Sequence, residues 1–194
     1  MSGAGFLVDL HRCVGCGACV LACRIENGRA ATAAWRRVLP LNLRRHPGGP
    51  TYFLSVACHH CEEPACLKGC PSEAYEKRPD GIVIHHADLC LGCRYCEMTC
   101  PFGTPQYDEG QGVVSKCHLC AHRVDAGRLP ACVAACPTEA LRFMAAGAPP
   151  SDGFGESVPG FVDPAACKPG LRFLPPAGAR REEMFRSLNE ALKR

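Results

Sequence analysis

The sequence predicts an α+β fold made of two similar modules, and three observations carry that expectation. Sixteen of the 17 cysteines fall into four groups of four. Short apolar runs lead into the groups: "GFLVDLHRC" at 5–13, "GIVIHHADLC" at 81–90 and a shorter "GVVSKC" at 112–117. The stretches leaving two of the groups, "CPSEA" at 70–74 and "CPTEA" at 136–140, match almost letter for letter. Together these describe an internal repeat with insertions. Its unit is a strand, a cysteine loop, a short helix and a return strand such as "LRF" at 141–143.

The first strand feeds the group Cys13, Cys16, Cys19 and Cys23. Residues 24–57 follow as a long insertion, in which "RVLPLNL" and "TYFLSVA" read as two strands around the turn "RRHPGGP". Trp35 within it is expected to pack in the core. The second group is Cys58, Cys61, Cys66 and Cys70; the third is Cys90, Cys93, Cys96 and Cys100; the fourth is Cys117, Cys120, Cys132 and Cys136. From about residue 146 Pro and Gly dominate, which predicts an extended, irregular tail holding the one ungrouped thiol, Cys167. The tail ends in "RREEMFRSLNEALK" at 180–193, where Met184, Phe185, Leu188, Ala191 and Leu192 recur at helical spacing.

Composition excludes several classes. "MSGAGFLVDLHRCVGC" lacks a basic region, a sustained apolar stretch and a cleavage site, so no export signal is expected and a disulfide framework is disfavoured. No apolar run reaches the roughly 18 residues of a membrane span. The net charge is only +3, and the pairs Arg36-Arg37, Arg44-Arg45 and Arg180-Arg181 have no interleaved aromatics. They read as solvated surface rather than a nucleic-acid footprint. No phosphate-binding glycine loop and no nucleophile–base signature is present.

The spacing C-x2-C-x2-C-x3-C-P is an iron–sulfur signature. A tight loop presents three thiolates to one cluster. The fourth cysteine, expected at the start of a helical turn and followed by Pro71, Pro101 or Pro137, points away. In two-cluster ferredoxins that fourth cysteine ligates the other cluster. Gly15, Gly17 and Gly92 fit loops that bring backbone N–H groups close to sulfide. A structural zinc module is the reading from another class, but zinc usually takes two separated C-x2-C pairs, and three cysteines at successive x2 spacings crowd one side of a single ion. The second group has x4 in place of one x2, the fourth has x11, and Arg24 replaces the proline of the first; none of these departures removes a ligand. Because each group already has four cysteines, His59, His60, His118 and His122 read as surface or supporting residues.

The motifs "CHHCEEPACLKGCPSEA", "GIVIHHADLCLGCRYCEMTCPFGTPQY" and "KCHLCAHRVDAGRLPACVAACPTEAL" resemble the iron–sulfur β subunits of the dimethyl sulfoxide reductase family, over about residues 5–145. The polysulfide and thiosulfate reductase β subunits are similar. The resemblance implies an electron-transfer subunit without catalysis of its own. Its implied partners are a large molybdopterin catalytic subunit and an integral membrane anchor that reacts with quinol or quinone. Related nitrate reductase subunits have tryptophan where this chain has Cys93, and carry a three-iron cluster there. With Cys93 present, four-iron clusters are implied throughout. A formate dehydrogenase or hydrogenase β subunit and a free polyferredoxin share the four groups and stay open at this point.

The full expectation is thus an α+β chain of two ferredoxin-like modules with four 4Fe-4S clusters, one module nested in the other. Residues 1–57 with 117–145 form the outer module, 58–116 the inserted one and 146–194 the tail. Exchange of fourth ligands gives the sets Cys13, Cys16, Cys19 and Cys136; Cys117, Cys120, Cys132 and Cys23; Cys90, Cys93, Cys96 and Cys70; and Cys58, Cys61, Cys66 and Cys100. Cys167 is expected to ligate nothing. The resemblance implies an order from the catalytic partner of Cys13, Cys117, Cys90 and then Cys58. The chain reads as cytoplasmic by itself, and co-export with a partner is the route to the outer face of the membrane.

Overall fold

The five residues Gly-Phe-Leu-Val-Asp at 5–9 are apolar up to the last, and they form a strand, β1 (Gly5–Asp9), that is buried along its whole length. A strand reads as an unbroken apolar run when it is covered on all sides, and β1 is the middle strand of a three-stranded sheet. The computed structural model describes residues 3–28, 35–41, 52–149, 153–155 and 167–175. After β1 come α1 (Ala18–Glu26), β2 (Arg37–Leu41), β3 (Tyr52–Val56), α2 (Ala65–Lys68), β4 (Tyr75–Lys77) and β5 (Val83–His85). A 3-10 turn (Ala87–Leu89) leads to α3 (Tyr95–Thr99), β6 (Gln106–Asp108), β7 (Val113–Ser115), α4 (Ala121–Asp125), α5 (Ala131–Ala134), β8 (Leu141–Met144) and β9 (Leu171–Leu174). The fold is mixed α and β, as predicted.

Strand β1 pairs antiparallel with β8, placing Phe6 opposite Phe143 and Val8 opposite Leu141. This joins the strand that enters the first cysteine group to the one that leaves the fourth. On its other edge β1 pairs parallel with β9, Phe6 opposite Leu171 and Val8 opposite Phe173. The sequence placed 171–174 in an irregular tail; here the structure corrects it. "LRFL" is too short to announce a strand, and the edge of β1 supplies the partner that makes it one. The helix predicted at 180–193 lies outside the described residues.

The hairpin expected in the insertion forms, with β2 antiparallel to β3 and Leu39 opposite Leu54; its turn at 42–51 lies outside the described residues. Hairpins β4–β5 and β6–β7 flank the third cysteine group. The helices have four to nine residues, below the length at which a helix persists alone in water. Tertiary packing holds them: α1 lies against α5, and α2 against α3.

A second correction concerns the helices. The fourth cysteine was expected to start a helical turn; instead a helix carries the third cysteine and stops at or just before the fourth. Cys100, ahead of Pro101, ends α3 in extended backbone at φ −75° and ψ 113°, the conformation proline imposes on the residue before it. Where Arg24 stands in place of proline, α1 continues through Cys23 to Glu26.

Most buried side chains form one core, including Phe6, Val8, Leu10, Trp35, Leu54, Val56, Phe102, Leu171 and Phe173, with Cys19, Cys23, Cys58, Cys117, Cys132 and Cys167 among them. A smaller one joins Tyr75, Val83 and Val114 to Cys66 and Cys96. Trp35 packs as predicted, and its indole N–H donates to Ser115 Oγ at 3.0 Å.

Candidate iron–sulfur centres

The second residue after the first cysteine has positive φ in all four loops: Gly15 at 72°, His60 at 45°, Gly92 at 67° and Leu119 at 57°. This turns backbone N–H groups toward sulfur. Gly92 N donates to Cys90 Sγ and Leu119 N to Cys117 Sγ, both at 3.4 Å, and the Gly15 N–H bonds to Cys13. Successive N–H groups in such a turn make an anion-binding concavity. Glycine takes this conformation without a steric cost. For His60 and Leu119 it costs about 1–2 kcal/mol, and both are buried, so packing holds them there. The glycines signalled these loops in sequence; "CHHC" and "CHLC" gave no such signal.

The cysteines converge in sets drawn from distant groups. One cavity is lined by Cys13, Cys16, Cys19 and Cys136. Another is lined by Cys58, Cys61, Cys66 and Cys100. Cys23 faces Cys132 and Cys120, and Cys117 faces Cys23 and Cys132. Cys96 faces Cys90 and Cys70, and Cys93 is exposed on the same loop. All 17 cysteines are free thiols. Among the described residues no group of three or more His, Cys, Asp or Glu side chains is arranged to hold a metal ion. The thiols stand around shared volumes instead, a donor arrangement that suits a polynuclear cluster of sulfur-bridged irons.

The fourth cysteines carry a feature the sequence analysis missed. Ser72 Oγ lies 3.5 Å from Cys70 Sγ, Thr104 Oγ1 3.5 Å from Cys100 Sγ, and Thr138 Oγ1 3.8 Å from Cys136 Sγ. Asn27 Nδ2 donates to Cys23 Sγ at 3.7 Å where the proline is missing. The signal was the hydroxyl residue in "CPS" and "CPT". Burial raises the Cys70 and Cys136 thiols, yet these hydroxyls and neighbouring backbone N–H groups outweigh it and bring both below the ordinary thiol value. Elsewhere burial dominates: Cys23 and Cys66 are pushed up to about 12, and Cys61 and Cys117 are raised as well. Such thiols give up their protons only to something that compensates the charge.

Three electrostatic interactions relate neighbouring sets: Cys23 with Cys19, Cys117 with Cys58 and Cys66 with Cys96. The Cys58 set therefore stands between the Cys117 and Cys90 sets. This corrects the order implied by the resemblance, in which Cys58 came last. Cys16 and Cys93 are exposed at the two ends of this row, while Cys58, Cys66, Cys117 and Cys132 are buried.

Cys167, far from other cysteines in sequence, is buried at 3% exposure and lines the Cys58 cavity. Glu63 N donates to its carbonyl at 3.1 Å and Gly170 N donates to His59 O at 2.8 Å, tying this segment to the second cysteine loop. Of the two places expected for His59 and His60, surface or supporting, burial leaves the supporting one. Burial, with Arg36 adding to it, lowers His59 to about 3, so the ring is neutral. His60 Nδ1 accepts from Val83 N at 3.0 Å. His122 bonds to Glu26 at 2.8 Å, and His118 meets Trp35 edge to face at 5.3 Å.

Arg36 was read as solvated surface, and it is 1% exposed. Arg37 is only partly buried. The pairs at 44–45 and 180–181 lie outside the described residues. Arg36 Nη1 donates to Ser55 Oγ at 2.9 Å and its guanidinium lies 4.3 Å from the Phe6 ring centre. Its Nε and Nη2 have no hydrogen-bond partner among the described residues, and no carboxylate there pairs with it. Burial opposes its charge, but the electrostatic pull of the sulfurs of Cys132, Cys117, Cys19 and Cys23 outweighs that and holds its pKa above the ordinary value. The balance of magnitudes agrees. A buried ion costs several kcal/mol, and a cation–π contact contributes about 0.5–2 kcal/mol, so sulfur must supply most of the compensation. Lys116 is a second buried cation, 3% exposed, whose Nζ donates to the carbonyls of Val83 and Cys117.

Comparison with known proteins agrees with this chemistry. The model of the 4Fe-4S dicluster domain matches residues 50–146, and that of the 4Fe-4S binding domain matches residues 6–26. The chain is 44% identical over 147 residues to a chain of the anaerobic dimethyl sulfoxide reductase of Escherichia coli, covering 72% of each. It is 36% identical over 165 residues to a subunit of the sulfite dehydrogenase of Allochromatium vinosum, covering 74% of this chain and 69% of the relative. It is also 36% identical over 174 residues to a putative dimethyl sulfoxide reductase iron-sulfur subunit of Halobacterium salinarum, covering 74% and 66%. Four cysteine loops with the same positive-φ turn, three of them aiming an N–H at cysteine sulfur, on a chain this similar to such subunits, make this protein a member of the iron–sulfur subunits of the dimethyl sulfoxide reductase family.

Proposed function

We propose that this chain is the electron-transfer subunit of a molybdopterin oxidoreductase of the dimethyl sulfoxide, polysulfide or thiosulfate reductase type. It holds four 4Fe-4S clusters and passes electrons between a membrane subunit reacting with quinol or quinone and a large molybdopterin catalytic subunit. The carrying observation is the convergence of cysteines from distant groups on shared cavities. The ligand sets are Cys13, Cys16, Cys19 and Cys136; Cys117, Cys120, Cys132 and Cys23; Cys58, Cys61, Cys66 and Cys100; and Cys90, Cys93, Cys96 and Cys70. Packing of α1 on α5 and of α2 on α3 supports an outer module enclosing an inserted one. When bound, the clusters supply one-electron redox chemistry.

What the protein contributes is spacing, burial and hydrogen bonds to sulfur. The buried middle of the row keeps water from the Cys117 and Cys58 sets, and the exposed ends give access at Cys16 and Cys93. Exposed apolar side chains flank both ends: Val14, Leu21 and Ile25 at one, and Leu89, Leu91, Tyr95 and Met98 at the other. They suit docking of the catalytic subunit next to the Cys13 set and of the membrane subunit next to the Cys90 set. Among the described residues no helix is long and apolar enough to cross a membrane, which fits attachment through a partner.

Anaerobic reconstitution followed by iron and sulfide analysis tests the reading, with about sixteen of each expected per chain for four cubanes. Purification of the native complex should bring a molybdenum-containing large subunit with it. A colourless chain holding a few zinc ions would overturn the proposal.

A further inference from the structure

Arg36 sits where no local rule of sequence places an arginine. It is buried, lacks a carboxylate partner among the described residues, and lies among sulfurs from two different cysteine sets. Cys132, Cys117 and Cys23 belong to the Cys117 set, and Cys19 to the Cys13 set. Its Nη1 donates to Ser55 Oγ at 2.9 Å, and Ser55 Oγ is 3.4 Å from Cys19 Sγ. Because the serine oxygen accepts from Arg36, its own hydrogen is left to donate to Cys19. The guanidinium thus bears on one set directly and on the other both directly and through a hydroxyl. The hydrocarbon side of the pocket is closed by Phe6 at 4.3 Å, and burial leaves no water to screen the charge.

Resting on the proposed cluster-binding function, we propose that Arg36 is the counter-charge shared by the Cys13 and Cys117 sets, a positioning residue that raises the reduction potentials of the groups they hold. Reduction adds negative charge to a site. A fixed, unscreened cation next to it stabilises the reduced state more than the oxidised one. Net charge and hydrogen bonds to sulfur are the levers by which a protein sets cluster potential, and Arg36 acts through both. The greater number of thiols it faces in the Cys117 set makes that set the more strongly affected, and the remote Cys90 set the least.

The test is an anaerobic redox titration followed by EPR, on the full reconstituted chain and its Arg36→Met, Arg36→Lys and Ser55→Ala variants. In Arg36→Met, with iron content unchanged, reduction at the Cys117 set is expected to become at least about tenfold less favourable, 59 mV for a one-electron couple. The Cys13 set should move less and the Cys90 set not at all. Arg36→Lys keeps the charge and should leave the potentials within about threefold, equivalent to less than half of that tenfold shift. Ser55→Ala should move only the Cys13 set. Unmoved potentials in a fully loaded Arg36→Met variant overturn the proposal, and so does an equal shift at all four sites. If Arg36→Met fails to take up iron, Arg36→Lys decides. Full loading with retained potentials supports a charge role; failure there too makes Arg36 a packing residue and ends the proposal. A wild-type chain with no reducible clusters would instead defeat the functional reading itself.

Discussion

Cys167 shows how one side chain changes meaning with its surroundings. It is buried in the wall of the cavity that holds Cys58, Cys61, Cys66 and Cys100, and it bears electrostatically on Cys61. Five thiols therefore meet at a site where a cubane needs four ligands. Its neighbours argue for a packing role: Cys167 lies in the main core, and its carbonyl accepts from Glu63 N. A buried thiol of this kind behaves as a small hydrophobe. Cys167→Ser is accordingly expected to keep the full iron content and all four EPR signals, with stability lowered by about 1 kcal/mol for the buried hydroxyl. Loss of one cluster in that variant would show that Cys167, not one of the four others, is a ligand.

At the level of elements, the sheet β8-β1-β9 depends on a close backbone approach. A Cβ added to Gly5 would lie 1.6 Å from Gly170 O, and Phe6 N donates to that same oxygen at 3.0 Å. No flexible side chain is available to yield, because the obstacle is backbone. Gly5→Ala must push β9 off β1 and open the segment that carries Cys167. Overpacking of this kind costs about 3 kcal/mol, which for a chain of this size lowers Tm by roughly 6–12 °C. Thermal unfolding of the reconstituted protein checks this, and a melting temperature equal to wild type would show that β9 is not held against β1. The short helices obey a different constraint. Those carrying a third cysteine end before the proline that follows the fourth, except α1, which has no such proline and runs on past Cys23.

For the whole molecule the decisive part of the proposed function is the exchange of fourth ligands. Cys100 lines the cavity of the Cys58 set, and Cys70 faces Cys96. On the proposed ligand sets each pair of sites would be tied by two crossed connections, which would fix a short separation between them. In EPR assignments, Cys100→Ser and Cys58→Ser are expected to perturb the same cluster and Cys90→Ser a different one. If Cys100→Ser behaved like Cys90→Ser, "CLGCRYCEMTCP" would be a self-contained site and the crossed arrangement would fall. On the proposed ligand sets the Cys58 cluster is an interior member of the row, flanked by the Cys117 and Cys90 sites. Its EPR spectrum should accordingly show magnetic coupling to both neighbours, whereas a terminal cluster couples to one.

What the sequence determined by itself is what a short stretch of residues determines. Three cysteines at x2 spacings can only crowd one side of a cluster, and an apolar "GFLVD" demands cover on both faces. Each of these is settled within a few residues, by covalent reach and backbone sterics. The tertiary structure alone decided the rest. "RR" at 36–37 is the same dipeptide whether buried or solvated, and only the approach of sulfurs from four remote positions makes a buried Arg36 tolerable. "LRFL" became β9 because β1 had a free edge, and Cys167 went inside with it. His60 and Leu119 adopt the backbone turn that Gly15 and Gly92 adopt because the packed core holds them in it. Charge compensation, strand pairing and strain all draw on partners far away along the sequence, and no local pattern records them.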